Sequence, residues 1–96
     1  MVEAAPLPAA AAPPTVSVIV PVHNGGDDLR LCLEAIGRSA WPPLECIVVD
    51  DASTDGRAVE TAERCGARVL RQPRQRGPAA ARNLGAAEAR GDILFF

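Results

Sequence analysis

Four short apolar runs, separated by polar or amphipathic stretches, organise this chain. Residues Val16–Val22 are β-branched and almost continuously apolar, the pattern of a strand buried on both faces. His23-Asn24-Gly25-Gly26 reads as a turn. Asp27 and Asp28 then open a helix, where carboxylates suit the positive end of the dipole. Leu29, Cys32, Leu33 and Ile36 recur at helical spacing and form its apolar stripe. Trp41-Pro42-Pro43 stops any continuation. Residues 44–49 read as a second strand. Ser53 or Thr54 is placed to cap a helix over 55–65, and Gly66 closes it. A third strand covers 67–70, and residues 71–76 form a loop rich in Arg and Gln. Gly77-Pro78 starts a third helix, with Pro at an allowed first-turn position; it runs to about residue 90. Gly91 ends it, and residues 92–96 begin a fourth strand. The order β-α-β-α-β-α-β predicts an α/β fold with a parallel sheet and right-handed crossovers.

Composition narrows the picture. At 96 residues the chain is one domain or less, and its core is small for a sheet covered on both faces. Residues 1–15 are rich in Ala and Pro and carry no Lys or Arg, which argues against a signal peptide. They read as a disordered or polyproline-like leader, with the folded part over 16–96. No apolar run approaches the roughly 20 residues needed to span a membrane. The formal charge is −2, and every basic residue is Arg. No basic face suggests nucleic acid, and with only Trp41, Phe95 and Phe96 there is no stacking platform for single strands. Cys32, Cys46 and Cys65 are odd in number and lack CxxC spacing, so neither a disulfide framework nor a zinc site is indicated. They read as small buried hydrophobes in a reducing compartment. A cytoplasmic protein is expected, at the cytoplasmic face of a membrane in a full-length form. The chain stops inside strand-like sequence at Ile93-Leu94-Phe95-Phe96, which reads as a fragment.

The candidate chemistry centres on Ile47-Val48-Val49-Asp50-Asp51-Ala52-Ser53-Thr54-Asp55-Gly56. In an open α/β sheet, ligands bind at the carboxyl ends of strands. Two adjacent acids there repel unless a ligand, a cation or a set of N–H donors offsets the charge. The base and ribose of a nucleotide fit that description. The bland alternative is that both carboxylates simply bind backbone N–H groups of the loop. Pro21, His23 and Asn24 end the first strand beside this pair and can line a base pocket, although Asn24 is also a common turn residue. A single histidine makes a poor metal site. Gly77 to Gly85 places small residues before a helix whose N-terminus favours an anion, by roughly 0.3–1 kcal/mol at exposed sites. Arg82 adds a fork for phosphate or carboxylate; alternatively it is solvated, or pairs with Glu88 or Asp50. GxGxxG and the Walker phosphate loop are absent, which removes support for dinucleotide oxidoreductases and P-loop enzymes.

Taken together, these pieces resemble the N-terminal half of a family-2 glycosyltransferase with the GT-A fold, a Rossmann-like sheet incomplete here at its C-terminus. The resemblance is carried by Val16 to Asn24, Ile47 to Asp55, Gly77 to Gly85 with Ala81-Arg82-Asn83, and Gly91 to Phe96. It implies transfer of a sugar from a nucleotide-sugar, a UDP-sugar in the usual case, to an acceptor hydroxyl by inverting displacement. It implies that Pro21, His23, Asn24 and Asp50 hold the base with Asp51 in support, and that Arg82 contacts the nucleotide or its diphosphate. It further implies Mg²⁺ or Mn²⁺, bound by an Asp-x-Asp motif after the fourth strand. That motif and the catalytic base are expected beyond Phe96, so no residue here is assigned to metal or to catalysis, and this chain alone is expected to be inactive. A noncatalytic nucleotide-binding remnant is the chief alternative. A receiver-like signalling domain fits less well, because its acid pair follows the first strand.

Overall fold

The computed structural model describes residues 14–39 and 43–96. The leader up to residue 13 and the stop at Trp41-Pro42 lie outside the described residues. The elements are β1 (Val16–Val22), α1 (Gly26–Gly37), β2 (Glu45–Asp51), α2 (Arg57–Arg64), β3 (Arg68–Gln72), α3 (Pro78–Glu88) and β4 (Ile93–Phe95). All four strands are parallel, in the order β3-β2-β1-β4. This is the parallel α/β sheet expected from the hydrophobic pattern.

Side-chain alternation divides the core into two layers. Val22 and Val48 pack with Leu29 and Leu33 of α1 and with Ala58 and Ala62 of α2. Ile19, Ile47 and Val49 face the other way and meet Ala81 of α3. The small residues on α2 and α3 let these helices lie close to the sheet. Gly85 marks the close approach of α3, where a Cβ would lie 2.5 Å from Ile19 Cγ2.

Several boundaries differ from the sequence pattern for visible reasons. β2 continues through Asp50 and Asp51, because β3 also extends and pairs with them: Asp50 opposes Arg71, and Asp51 opposes Gln72. α2 begins only at Arg57, after Gly56 in a left-handed conformation and without a side-chain cap. The Ser53 hydroxyl instead accepts the Asn24 N–H at 2.8 Å, and the Thr54 N–H is bound by Asn24 Oδ1 at 2.9 Å. α3 stops at Glu88 because the Arg90 N–H is drawn to Glu45. Cys32 and Cys65 are exposed rather than buried. Cys32 lines an open apolar groove of about 610 Å³ that also includes Ile36, Phe95 and Phe96. Cys65 caps the end of α2. Only Cys46 is partly buried, and loss of solvation pushes its thiol up to about 11.

β4 is the weakest strand. It pairs only with β1 at three positions, Val16 to Val18 against Ile93 to Phe95, and Phe95 is 64% exposed. An apolar edge so little covered frays readily and invites association. In the monomeric chain, the amides of Phe95 and Phe96 are expected to exchange near their intrinsic rates while those of Ile47 to Val49 are protected. Strong protection at Phe95 and Phe96 in a demonstrated monomer would contradict this.

Candidate functional site

The strand ends of β1 and β2 carry two turns that are tied to each other. His23 Nδ1 lies 2.7 Å from the Asp51 carbonyl oxygen. A carbonyl only accepts, so Nδ1 carries the proton and donates it to that oxygen. Asn24, in the left-handed region at φ 54°, donates its N–H to the Ser53 hydroxyl oxygen and accepts the Thr54 N–H at its Oδ1. These crossed bonds hold the His23-Asn24 turn and the Ala52-Ser53-Thr54 turn in fixed register.

The two carboxylates have different surroundings, because adjacent strand residues face opposite sides. Asp50 points toward the α1/α2 side with Val22 and Val48. It is 1% exposed; its Oδ1 accepts the Ser53 N–H at 3.1 Å, and its Oδ2 lies 3.7 Å from Arg71 Nε. Asp51 points toward α3. Its Oδ1 accepts Gln72 Nε2 and the Arg76 N–H, both at 2.8 Å, and its Oδ2 accepts the Gly77 N–H at 2.9 Å. The Arg76 N–H is the main reason that the Asp51 carboxyl titrates below its ordinary 3.8, against an opposing effect of burial, with Gly77, Gln72 and His23 adding to the lowering. The charge repulsion expected of the pair is therefore relieved by protein donors. Asp51 also fixes the loop that leads into α3, so the three turns at this end of the sheet form one unit.

Pro21 stands opposite Val49 and shares the strand parity of Asp51, while His23, past the end of β1, is tied to the Asp51 carbonyl and lines a hollow with Asp28, Leu29 and Cys32 of α1. Pro21, His23, Asn24, Asp50 and Asp51 are thus brought together. Arg82 lies on the exposed side of α3 and, among the described residues, makes no hydrogen bond or ion pair. Neither of the partners considered for it is free: Glu88 pairs with Arg68 at 2.9 Å, and Asp50 faces Arg71. Beside the site, Arg71, Arg74, Arg76 and Asn83 line an open cavity of about 690 Å³. Among the described residues, no group of three or more His, Cys, Asp or Glu side chains could hold a metal ion. Asp50 accepts the Ser53 N–H, the kind of loop partner that the bland alternative allowed; sequence reasoning missed Gln72 and the Arg76 and Gly77 amides as partners of Asp51. Ser53 was legible, since a residue three beyond an Asp is a common turn partner.

An open parallel sheet with tied polar turns at its strand ends defines a ligand-binding α/β protein. Residues 17–96 match the model of glycosyl transferase family 2, and the chain belongs to that family. It is 38% identical over 86 residues to the uncharacterized glycosyltransferase YibD of Escherichia coli K12, covering 84% of this chain and 24% of that protein. It is likewise 38% identical over 90 residues to the glycosyltransferase AglE of Haloferax volcanii, covering 86% and 29%. Among solved structures, the mannosyltransferase PcManGT of Pyrobaculum calidifontis, in complex with GDP-Man and Mn²⁺, superposes with a TM-score of 0.77 at 31% identity, over 92% of this chain and 29% of that one. Glucosyl-3-phosphoglycerate synthase of Mycobacterium tuberculosis, with Mn²⁺, UDP and glucosyl-3-phosphoglycerate, gives 0.68 at 30% identity, over 86% and 33%. The chain spans a quarter to a third of the length of these relatives. Its fold is that of the GT-A glycosyltransferases. No helix among the described residues is long and apolar enough to cross a membrane.

Proposed function

We propose that this chain is the nucleotide-recognition part of an enzyme that moves a sugar from a nucleotide-sugar, a UDP-sugar, to an acceptor hydroxyl with inversion. The observation that carries the reading is the convergence of three tied turns at the ends of β1 and β2 and the start of α3. Pro21, His23, Asn24 and Asp50 gather at the ends of β1 and β2 to hold the base, with Asp51 in support through its bonds to the loop that enters α3. Asp50 and Asn24 contribute by holding the two turns in place. Arg82, exposed and without a partner among the described residues, is available to the nucleotide or its diphosphate. A Mg²⁺ or Mn²⁺ ion would neutralise charge on the departing nucleoside diphosphate. Its ligands, like the base that deprotonates the acceptor, belong to sequence following β4 in a longer chain of this family.

Titration of the chain with UDP, followed by amide chemical shifts, tests this. Shifts are expected at Val22 to Asn24, Asp51 to Thr54 and Arg76 to Ala80 as one set. Arg82→Gln is expected to weaken UDP about three- to tenfold by removing a charge-assisted contact, while uridine binding stays unchanged. Asp50→Ala leaves the Ser53 N–H unpaired and is expected to cost UDP binding about 1–3 kcal/mol in protein that still folds. UDP shifts that avoid all three turns would overturn the reading.

A further inference from the structure

At the opposite end of the sheet from the nucleotide site lies a second polar cluster, built into otherwise apolar strands. Ser17 on β1 is fully buried, and Glu45 on β2 stands beside it in the parallel register. The Ser17 hydroxyl donates to Glu45 Oε2 at 2.8 Å and accepts the Gly91 N–H at 2.8 Å. Glu45 Oε2 also accepts the Arg90 N–H at 2.6 Å. Its Oε1 is buried with no hydrogen-bond partner, 3.6 Å from Arg90 Nε. A buried carboxylate oxygen without a hydrogen bond is costly, and the Arg90 guanidinium offsets that cost only through charge.

The turn it holds is the entry to β4. Arg90 and Gly91 give their amides to Glu45 and Ser17, and the next bonds in sequence continue the seam. The Asp92 N–H donates to Thr15 Oγ1 at 3.0 Å, Asp92 Oδ2 accepts the Thr15 N–H at 3.1 Å, and the Ile93 N–H donates to the Thr15 carbonyl at 2.9 Å. Gly91 lies so close that a Cβ there would fall 2.6 Å from Ser17 Oγ and 2.7 Å from Ser17 N. The ladder of β4 is only three residues long and exposed, too short to choose its own register. A slip of one residue would turn every side chain of that strand to the other face.

We propose that Glu45 and Ser17 form an ionic clasp that sets the register of β4, making them positioning residues for the segment that follows this strand in a longer chain. The inference rests on the glycosyl-transfer reading for its catalytic consequence, since that segment is where the cation ligands are placed. The clasp works through charge. An ionised Glu45 can only accept, which forces the Ser17 proton toward it and leaves the Ser17 oxygen free for the Gly91 N–H. The Arg90 N–H holds the Glu45 carboxyl below its ordinary 4.5, against burial, helped by Ser17 and by the Arg90 and Arg68 guanidinium groups. Arg68 on β3 is itself paired with Glu88 of α3. The clasp is therefore complete above about pH 4.5 and is lost as pH falls through the lower folded value.

Hydrogen exchange on the 96-residue chain tests this without nucleotide, so its failure and that of the donor-binding reading are separate. In the parent chain, the amides of Arg90, Gly91 and Ile93 are expected to be protected even though Phe95 and Phe96 are not. Glu45→Ala and Ser17→Ala are each expected to lower that protection by about tenfold, the scale set by one hydrogen bond to a charged group, with Ile47 to Val49 unaffected. Glu45→Gln keeps an acceptor, so it is expected to retain protection at neutral pH but to lose the decline that the parent shows between pH 5 and pH 3. Asp92 is present in both proteins, so the difference between the two profiles isolates Glu45. Unchanged protection in both alanine variants, or a Glu45→Gln profile that falls as the parent's does, would overturn the clasp.

Discussion

Replacing Gly85 by valine is expected to abolish folding, and replacing it by alanine to destabilise the chain. Two effects oppose each other at this position. Glycine inside a helix is worse than alanine by about 1 kcal/mol, so propensity alone favours the substitution. Packing disfavours it. A Cβ at Gly85 meets Ile19 Cγ2 at 2.5 Å and Val49 Cγ2 at 3.2 Å, and both partners are buried in the sheet. Overpacking of this kind costs about 1–3 kcal/mol and can cost more where neighbours cannot move. The net loss for alanine is expected at about 1–2 kcal/mol. Valine adds two branches to a site that lacks room for one carbon. Small domains are stable by only about 5–15 kcal/mol, and a four-stranded sheet with a frayed edge sits at the low end. Urea denaturation read by circular dichroism measures the alanine variant. Stability equal to or above that of the parent would show that α3 stands further from the sheet than described.

The second large effect is expected at Asp51. Asp51→Asn preserves size but removes the charge and half the acceptors. The amide oxygen can replace Oδ1 before Gln72 and the Arg76 N–H, but the amide nitrogen then faces the Gly77 N–H, donor against donor. Reversing the amide leaves two donors unpaired instead of one. The melting midpoint is expected to fall by about 10 °C, the scale for losing more than one well-made hydrogen bond in a domain of this size. The loss must also depend on pH. The folded Asp51 carboxyl titrates below 3.8. Its contribution is therefore full above that value and fades as pH falls through the folded one. Melting curves of the two proteins are expected to differ most at neutral pH and to converge under acid. A constant gap down to pH 2 would assign the effect to shape rather than charge.

Much of this fold is legible in the residues because burial leaves a simple mark. Val16–Val22 and the run through Val49 read as strands, since a sheet covered on both faces needs apolar side chains at consecutive positions. The four elements of β type, their order and the parallel arrangement follow from that pattern with the helices between. The ends of elements are less legible, because polar residues there serve whichever partner tertiary structure supplies. Ser53 looks like a helix cap, yet its hydroxyl goes to Asn24 across the sheet. Asp50 and Asp51 look like loop residues, yet β3 extends to pair with them. The acid pair identifies the polar end of the sheet, but strand parity assigns the two carboxylates different duties, and parity becomes clear only once β2 is known to continue through both. Glu45 and Ser17 carried a signal that went unused: two polar residues near the starts of adjacent apolar strands face each other in the parallel register.

The turn after Asp51 has one further consequence. Ala52 sits at φ 57°, in the left-handed region, where a residue with a Cβ stores about 1–2 kcal/mol of backbone strain. Nothing in its own chemistry prefers that shape. The turn is bent by its ties to Asp50 and Asn24, as a spring is held by a catch. The strand-end turn is thus cocked, with its strain held at a single alanine.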